Sequence, residues 1–266
     1  MTADGRNPAL RGLHRFVTSW RAMTAARTAI VTGAGKRVGA KIARGLVSDG
    51  WTVVAHVHRE SDEVPVGAVK VVADLADPDC AKTIFEAAAN LSPVRLLVNN
   101  AARFALDSID DFIVDELSLH MTVNVQAPIL LSRRFAMQHS SGEDGSIVNL
   151  LDSKLSSPNP DYLSYTLSKN ALSALTDLSA RALAPKGIRV NGIAPGLILR
   201  SSGQTEENFR AMHGNNPLHR GVEPEDVLDA IRYLAGARCV TGQVLTIDSG
   251  QRFMALERDV QFLGKQ

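Results

Sequence analysis

Cysteine is nearly absent: Cys80 and Cys239 are the only two in 266 residues, and they lie far apart. That excludes a disulfide framework and a cysteine-based zinc site, and it fits a reducing, cytoplasmic setting. An excess of one charge is missing too. Lysine and arginine number 29 against 28 acids, so no overall field favours nucleic acid or a membrane surface, and the expected partner is a small molecule. The seven histidines show no His-x-x-x-His or comparable ligand spacing, and His56 with His58 on one strand face does not complete a metal site. No apolar run approaches the roughly 18 residues of a membrane span.

What the chain does have is 45% hydrophobic and 21% charged content, enough to bury the core of one large α/β domain. Residues 1–22 carry Arg6, Arg11, His14, Arg15 and Arg21 against one acid, Asp4. This stretch is expected to lie outside the core as a disordered extension, with a targeting peptide as the other reading. The domain is expected over 23–266, with Met23 a compact place to begin. Short apolar runs at 29–31, 52–57, 69–73, 95–98, 146–150, 188–190 and 244–247 are rich in Val, Ile and Leu without polar alternation. Strands buried on both faces have that composition. Helical-period segments separate most of them, which predicts an α/β, doubly wound, Rossmann-like parallel sheet with helices on both faces.

The first run leads into Thr32-Gly33-Ala34-Gly35-Lys36-Arg37-Val38-Gly39 and then an amphipathic helix. Glycines at such a turn admit a pyrophosphate close to the backbone, and the helix N-terminus presents unpaired N–H groups to it; the bland reading is a simple turn. At the end of the second run, His56-Val57-His58-Arg59-Glu60, an acid would bind the ribose 2′-OH of NAD and a cation the 2′-phosphate of NADP. Lys36 and Arg59 can converge on one phosphate, which favours NADPH; selection of NAD by Glu60 is the alternative.

Tyr165-Thr-Leu-Ser-Lys169 lies in a segment of helical period, so phenol and ammonium share a face. A tyrosine of ordinary pKa, about 10, is a sluggish proton carrier near neutrality, and a fixed ammonium is expected to bring it down. Upstream, the helical segment around Leu117 contains Asn124 and Pro128. Proline lacks an N–H, so the Asn124 carbonyl is expected to be left free to hold water; a plain proline kink is the other reading.

These elements together resemble the short-chain dehydrogenase/reductase family. The turn is similar to that family's Thr-Gly-x-x-x-Gly-x-Gly, with Arg37 where the middle glycine is usual. Asp74 stands where the family binds adenine, and Asn99-Asn100-Ala101 resembles its Asn-Asn-Ala-Gly element with Ala102 in place of glycine. Pro195 and Gly196 match the turn beside the nicotinamide, and residues 240–250 match the C-terminal strand. The resemblance implies cofactor contacts from Gly33, Lys36, Arg37, Val38, Gly39, His58, Arg59, Asp74, Asn100, Ala101, Tyr165, Lys169, Pro195 and Gly196. It implies Tyr165 and Lys169 as the proton-handling pair, Asn124 as holder of a relay water, and a homotetramer or homodimer packed through the helices bearing Asn124 and Tyr165.

Most members carry a serine thirteen positions before the tyrosine, where this chain has Asp152. An ionised carboxylate only accepts hydrogen bonds, so polarisation of a carbonyl is compromised while N–H groups of a ring are served. With Lys36-Arg37, His58-Arg59, Phe104, Asp152 and Pro-Gly-Leu-Ile-Leu at 195–199, the chain is similar to the pteridine reductase branch. That resemblance implies a pterin contacted by Arg37, Phe104, Asp152, Tyr165 and Leu197, with Phe104 stacked on its flat face. Two other readings stay open: an NADPH-dependent carbonyl reductase using Ser153, and an NADP-binding redox sensor without turnover. The polar stretch 200–220 is expected to be a loop that closes over substrate.

Overall fold

The computed structural model describes residues 26–140 and 142–263, so the arginine-rich stretch 1–22 lies outside the described residues. Seven parallel strands form one sheet: β1 (Thr28–Val31), β2 (Thr52–Val57), β3 (Ala68–Val72), β4 (Val94–Asn99), β5 (Gly145–Leu150), β6 (Ile188–Pro195) and β7 (Val244–Ile247). All seven predicted runs are strands, in the order β3-β2-β1-β4-β5-β6-β7. The order reverses between β1 and β4, where Ile30 lies opposite Val54 on one side and Leu97 on the other. In open sheets of this kind the crevice at that reversal, beyond the carboxyl ends of the strands, is where ligands bind.

The helices are α1 (Arg37–Ser48), α2 (Cys80–Glu86), α3 (Val114–Met121), α4 (Ala127–Gln138), α5 (Leu163–Leu183), α6 (Glu206–His213) and α7 (Pro224–Gly236). Because successive strand residues point to opposite faces, the strands from β3 to β6 across the sheet feed two cores, while the edge strand β7 contributes Leu245 and Ile247 to one. Ile30, Leu97, Ile147 and Val190 meet Ile84, Leu131 and Phe135 on one side. Val31, Leu96, Val148 and Ile193 meet Ile42, Leu46, Val227 and Leu234 on the other. Each such buried side chain stabilises by roughly 1.5–3 kcal/mol, which is why Val, Ile and Leu dominate these runs.

The stretch 200–220 departs from its expectation as a loop. It contains α6, whose N-terminus is capped by the Thr205 hydroxyl accepting from the Asn208 N–H at 3.1 Å. Glu206 and Glu207 in its first turn complement the helix dipole. Among the described residues no helix is long and apolar enough to cross a membrane, and no group of three His, Cys, Asp or Glu could hold a metal ion.

Candidate active site

The β1–α1 turn brings most of the expected nucleotide residues together. Gly33 sits at φ +66°, and a side chain on Gly39 would meet the Gly33 carbonyl at 2.0 Å, so both positions require glycine. No side chain caps α1, which leaves its first N–H groups open to an anion. The Asn100 side-chain amide donates to the Thr32 carbonyl at 2.8 Å, and the Ala101 N–H donates to the Thr32 hydroxyl at 3.0 Å, tying the β4 end to the turn. Arg37 occupies its glycine position at φ +53°, a left-handed conformation that costs a side-chain-bearing residue about 1–2 kcal/mol. Its guanidinium, expected on pyrophosphate or substrate, spans the cleft to the Arg200 carbonyl with bonds of 3.1 and 3.0 Å.

His56 belongs to this turn as well, which the sequence did not reveal. Its Nδ1 accepts from the Gly33 N–H at 3.2 Å, so the ring proton is on Nε2, which donates to the Ala73 carbonyl at 3.0 Å. The ring is 2% exposed, and that burial pushes its pKa below the ordinary histidine value. A strand-buried histidine whose partner is a distant backbone amide leaves no pattern in the chain.

Around the mouth, Lys36, His58 and Arg59 are exposed, and the His58 ring lies 3.9 Å from Asp74. Among the described residues the Lys36 and Arg59 side chains have no carboxylate partner. Glu60 faces Lys70 of β3 at 3.2 Å, which occupies the acid that would otherwise select a free ribose hydroxyl. Open helix amides, unpaired cations and a close glycine turn are the donor set for a dinucleotide bearing an extra phosphate.

At the chemical end, Tyr165 and Lys169 are on α5, buried to 7% and 3% exposure. The Tyr165 hydroxyl donates to Asp152 Oδ2 at 2.8 Å, while Asp152 Oδ1 caps the short turn Ser153–Leu155 by accepting from the Lys154 N–H at 2.9 Å. Asp152, not Ser153, therefore stands against the phenol. Lys169 Nζ donates to the Leu150 carbonyl at 2.6 Å and sits 5.5 Å from the centre of the Tyr165 ring. An ammonium has three N–H groups, so two are available to hydroxyls of a bound molecule.

Electrostatics reverses one expectation. Lys169 does not lower the phenol: burial, and then the Asp152 carboxylate, push Tyr165 well above 10. Burial also pushes Asp152 up from its ordinary value and brings Lys169 down to about 8, against the pull of Asp152. The sequence showed which charges were near but not how little water they share.

The segment after α3 is a π turn, Thr122–Gln126, the local response to Pro128 having no N–H for the Asn124 carbonyl. The Asn124 side chain accepts from the Arg103 N–H at 2.7 Å and donates to the Arg103 carbonyl at 3.0 Å and the Ser168 hydroxyl at 2.8 Å. It thereby pins the segment after β4 that bears Phe104 to the helix bearing Tyr165. Phe104, 41% exposed, meets Tyr165 edge-on at 4.7 Å and stacks on Tyr162 at 4.3 Å. Tyr162, missed in the sequence, has φ 62°, and its N–H is held by the Asp107 carbonyl at 2.9 Å. The Asp107 carboxylate accepts from the Ser164 N–H at 3.1 Å, supplying the N-terminal cap that α5 lacks locally.

A cleft of about 240 Å³ opens here, lined by Arg37, Phe104, Asp152, Tyr165, Gly196 and Leu197 among others, with Pro195 beside them. Leu256, Asp259 and Val260 from beyond β7 close it, a contribution without periodicity in the sequence.

Comparison with known proteins agrees with this geometry. Residues 33–252 match the family described as enoyl-(acyl carrier protein) reductase. L-xylulose reductase of Mesocricetus auratus is 33% identical over 239 residues, 85% of this chain and 96% of that protein. Pteridine reductase 1 of Leishmania tarentolae is 30% identical over 280 residues, 85% of this chain and 96% of that protein. The crystal structure of FolM alternative dihydrofolate reductase 1 from Brucella suis, in complex with NADP, is 34% identical with a TM-score of 0.82, covering 87% of this chain and 97% of that one. A parallel sheet with its order reversed at a glycine turn, a Tyr165–Lys169 pair on one helix and these likenesses together place the chain in the short-chain dehydrogenase/reductase family of oxidoreductases, on its pteridine reductase-like branch.

Proposed function

We propose that this protein is an NADPH-dependent reductase of dihydropterins. The observation that carries the reading is the Tyr165 hydroxyl committed to Asp152 at 2.8 Å, beside the exposed face of Phe104. A carbonyl substrate would have to compete for that proton, whereas a pterin offers amino and ring N–H donors to the carboxylate and a flat face to Phe104. The NADP in the Brucella suis structure supports the cofactor assignment.

Lys36 and Arg59 hold the 2′-phosphate, with His58 beside them. The α1 N-terminus at Arg37, Val38 and Gly39, behind the Gly33 turn, faces the pyrophosphate. Asp74, Asn100, Ala101, Pro195 and Gly196 frame the rest, and Lys169 takes ribose hydroxyls. Bound NADPH supplies the hydride that reduces the carbon of a dihydropterin C=N bond. The proton for the adjacent nitrogen comes from Tyr165 or from water ordered beside it. Because burial keeps Tyr165 protonated at neutral pH, its role is that of an acid, and Lys169, brought to about 8, exchanges protons readily near neutrality. Asn124 positions Phe104 against α5 through Arg103 and Ser168. Association of copies through the helices bearing Asn124 and Tyr165 is supported by the exposed Val114, Ile129, Leu167 and Leu178.

A second reading, reduction of a sugar ketone or other carbonyl, is favoured by the likeness to L-xylulose reductase and by Ser153 lining the cleft. NADPH consumption by the pure protein and its Asp152→Ser variant, across dihydropterins, dihydrofolate and ketones, separates the two. Pterin turnover lost in the variant while ketone turnover holds or rises supports the proposal; equal losses on both classes refute the aspartate as selector, and no turnover at all leaves a nucleotide-binding sensor.

A further inference from the structure

Residues 251–263, beyond β7, contain only two short 3₁₀ turns, Gln251–Met254 and Val260–Phe262, and none of their side chains joins the two cores; Val260 is buried, whereas Phe253 is largely exposed. Ordering such a stretch costs backbone and side-chain entropy, so bonds outside the two cores must help to fix it. Polar ties do so: the Asn208 side-chain amide donates to the Leu263 carbonyl at 2.7 Å, the Leu197 N–H donates to Gln251 Oε1 at 3.0 Å, and three further ties hold the stretch from its other side. Lys154 Nζ meets Asp259 Oδ2 at 2.8 Å, both side chains nearly buried, and also donates to Asn159 Oδ1 at 2.9 Å. Arg258 grips Asp161 through two nitrogens at 2.7–3.0 Å, and the Asp259 N–H donates to the same carboxylate at 2.7 Å. The Tyr162 hydroxyl donates to Gln261 Oε1 at 2.7 Å.

These three further ties end on residues 154–162, the stretch between Asp152 and Tyr165. Tyr162, whose ring backs Phe104, keeps a strained left-handed backbone, which persists where surrounding bonds over-determine it. Leu256, Asp259 and Val260 face the cleft. At about 240 Å³ the cleft lies below the roughly 300–1,000 Å³ usual for drug-sized ligands.

We infer that residues 251–263 are the specificity-determining wall of the substrate cleft, latched by Arg258 and Gln261, and that they admit a dihydropterin with a short side chain while obstructing the arylamide tail of dihydrofolate. The substrate class rests on the pterin reading; the limit on tail length does not. Arg258 and Gln261 act through Asp161 and Tyr162 and are positioning residues.

The test uses the full-length Arg258→Ala/Gln261→Ala protein and, as a milder cut of a single tie, Tyr162→Phe. Turnover of 7,8-dihydrobiopterin and dihydrofolate is measured together with NADP⁺ affinity and melting temperature. In the double variant the dihydrofolate-to-dihydrobiopterin ratio of kcat/KM should rise roughly tenfold or more through a lower KM for dihydrofolate, with dihydrobiopterin kcat and NADP⁺ affinity held. Tyr162→Phe should move the same ratio in the same direction by less. A ratio unchanged in a folded variant, or parallel losses on both substrates, overturns the inference. Should the parent enzyme reduce ketones and no pterin, the pterin reading fails on its own, and the same ratio for a long-chain against a short-chain ketone decides the wall.

Discussion

Replacing Lys169 by methionine is expected to abolish turnover and yet to stabilise the nucleotide-free protein at pH 7. The ammonium is 3% exposed, with one protein bond, to the Leu150 carbonyl. Burial brings it from 10.5 down to about 8, and with about 1.4 kcal/mol per pH unit, holding the charge there costs on the order of 3 kcal/mol relative to the unfolded chain. Methionine fills similar space without charge, but it leaves the Leu150 carbonyl without its donor, a loss of about 1 kcal/mol. The net gain, about 2 kcal/mol, corresponds to roughly 4–8 °C in Tm for a chain of this size.

The pH dependence has a definite sign. The folded value lies below the unfolded one, so between about 8 and 10.5 the unfolded state binds the extra proton and wild-type stability rises with pH. Below about 8 the full cost is present; above 10.5 it is gone. Melting curves of wild type and Lys169→Met at pH 7 and pH 9.5 read this directly. By pH 9.5 the wild type has recovered about 2 kcal/mol and the two curves should nearly coincide. A variant less stable than wild type at pH 7, or a gap equal at both pH values, refutes the reasoning.

Tyr165→Phe should lower pterin turnover about a hundredfold or more while NADP⁺ affinity holds; undiminished turnover ends the acid role. Removing the cations with Lys36→Ala/Arg59→Ala should raise KM for NADPH roughly tenfold or more and leave NADH unaffected, because a 2′-phosphate loses charge-assisted bonds that NADH never makes. Equal effects on both nucleotides, measured side by side, would show these to be solvated surface charges. His56→Phe deprives the Gly33 N–H of its acceptor and should weaken NADP⁺ binding in calorimetry severalfold. Since burial holds His56 below its ordinary range, wild-type affinity should not change through protonation of this ring between pH 8 and 6.5; a decline there that disappears in the variant counts against the assignment.

The sheet was legible because burial favours short runs rich in Val, Ile and Leu without polar alternation, and seven of them stand clear of the helical segments. The Tyr165–Lys169 spacing was legible from helix period, and Asp152 thirteen positions earlier from the resemblance to the short-chain family, most of whose members carry a serine there. Less was readable where a contact joins distant segments. His56 serves Gly33 from the next strand, Asp107 caps a helix 57 residues away, and Asp259 meets Lys154 across the cleft. Dielectric surroundings were not readable either: the same lysine expected to lower the Tyr165 pKa is overruled by burial and by Asp152. The helix inside 200–220 was obscured by flanking Gly203, Gly214 and Pro217, although Thr205 followed by two glutamates is an N-terminal signature.

The three bonds from Asn124 to Arg103 and Ser168 have a consequence for inhibitor design. They lash the ledge carrying Phe104 to the helix carrying Tyr165, so a planar compound wedged in the notch meets walls already set at their final spacing. Affinity won there by shape is not offset by rearranging the host. Substituents reaching toward Leu256 and Val260 meet a flank tethered mainly by polar bonds, and they can trade size for displacement of that flank.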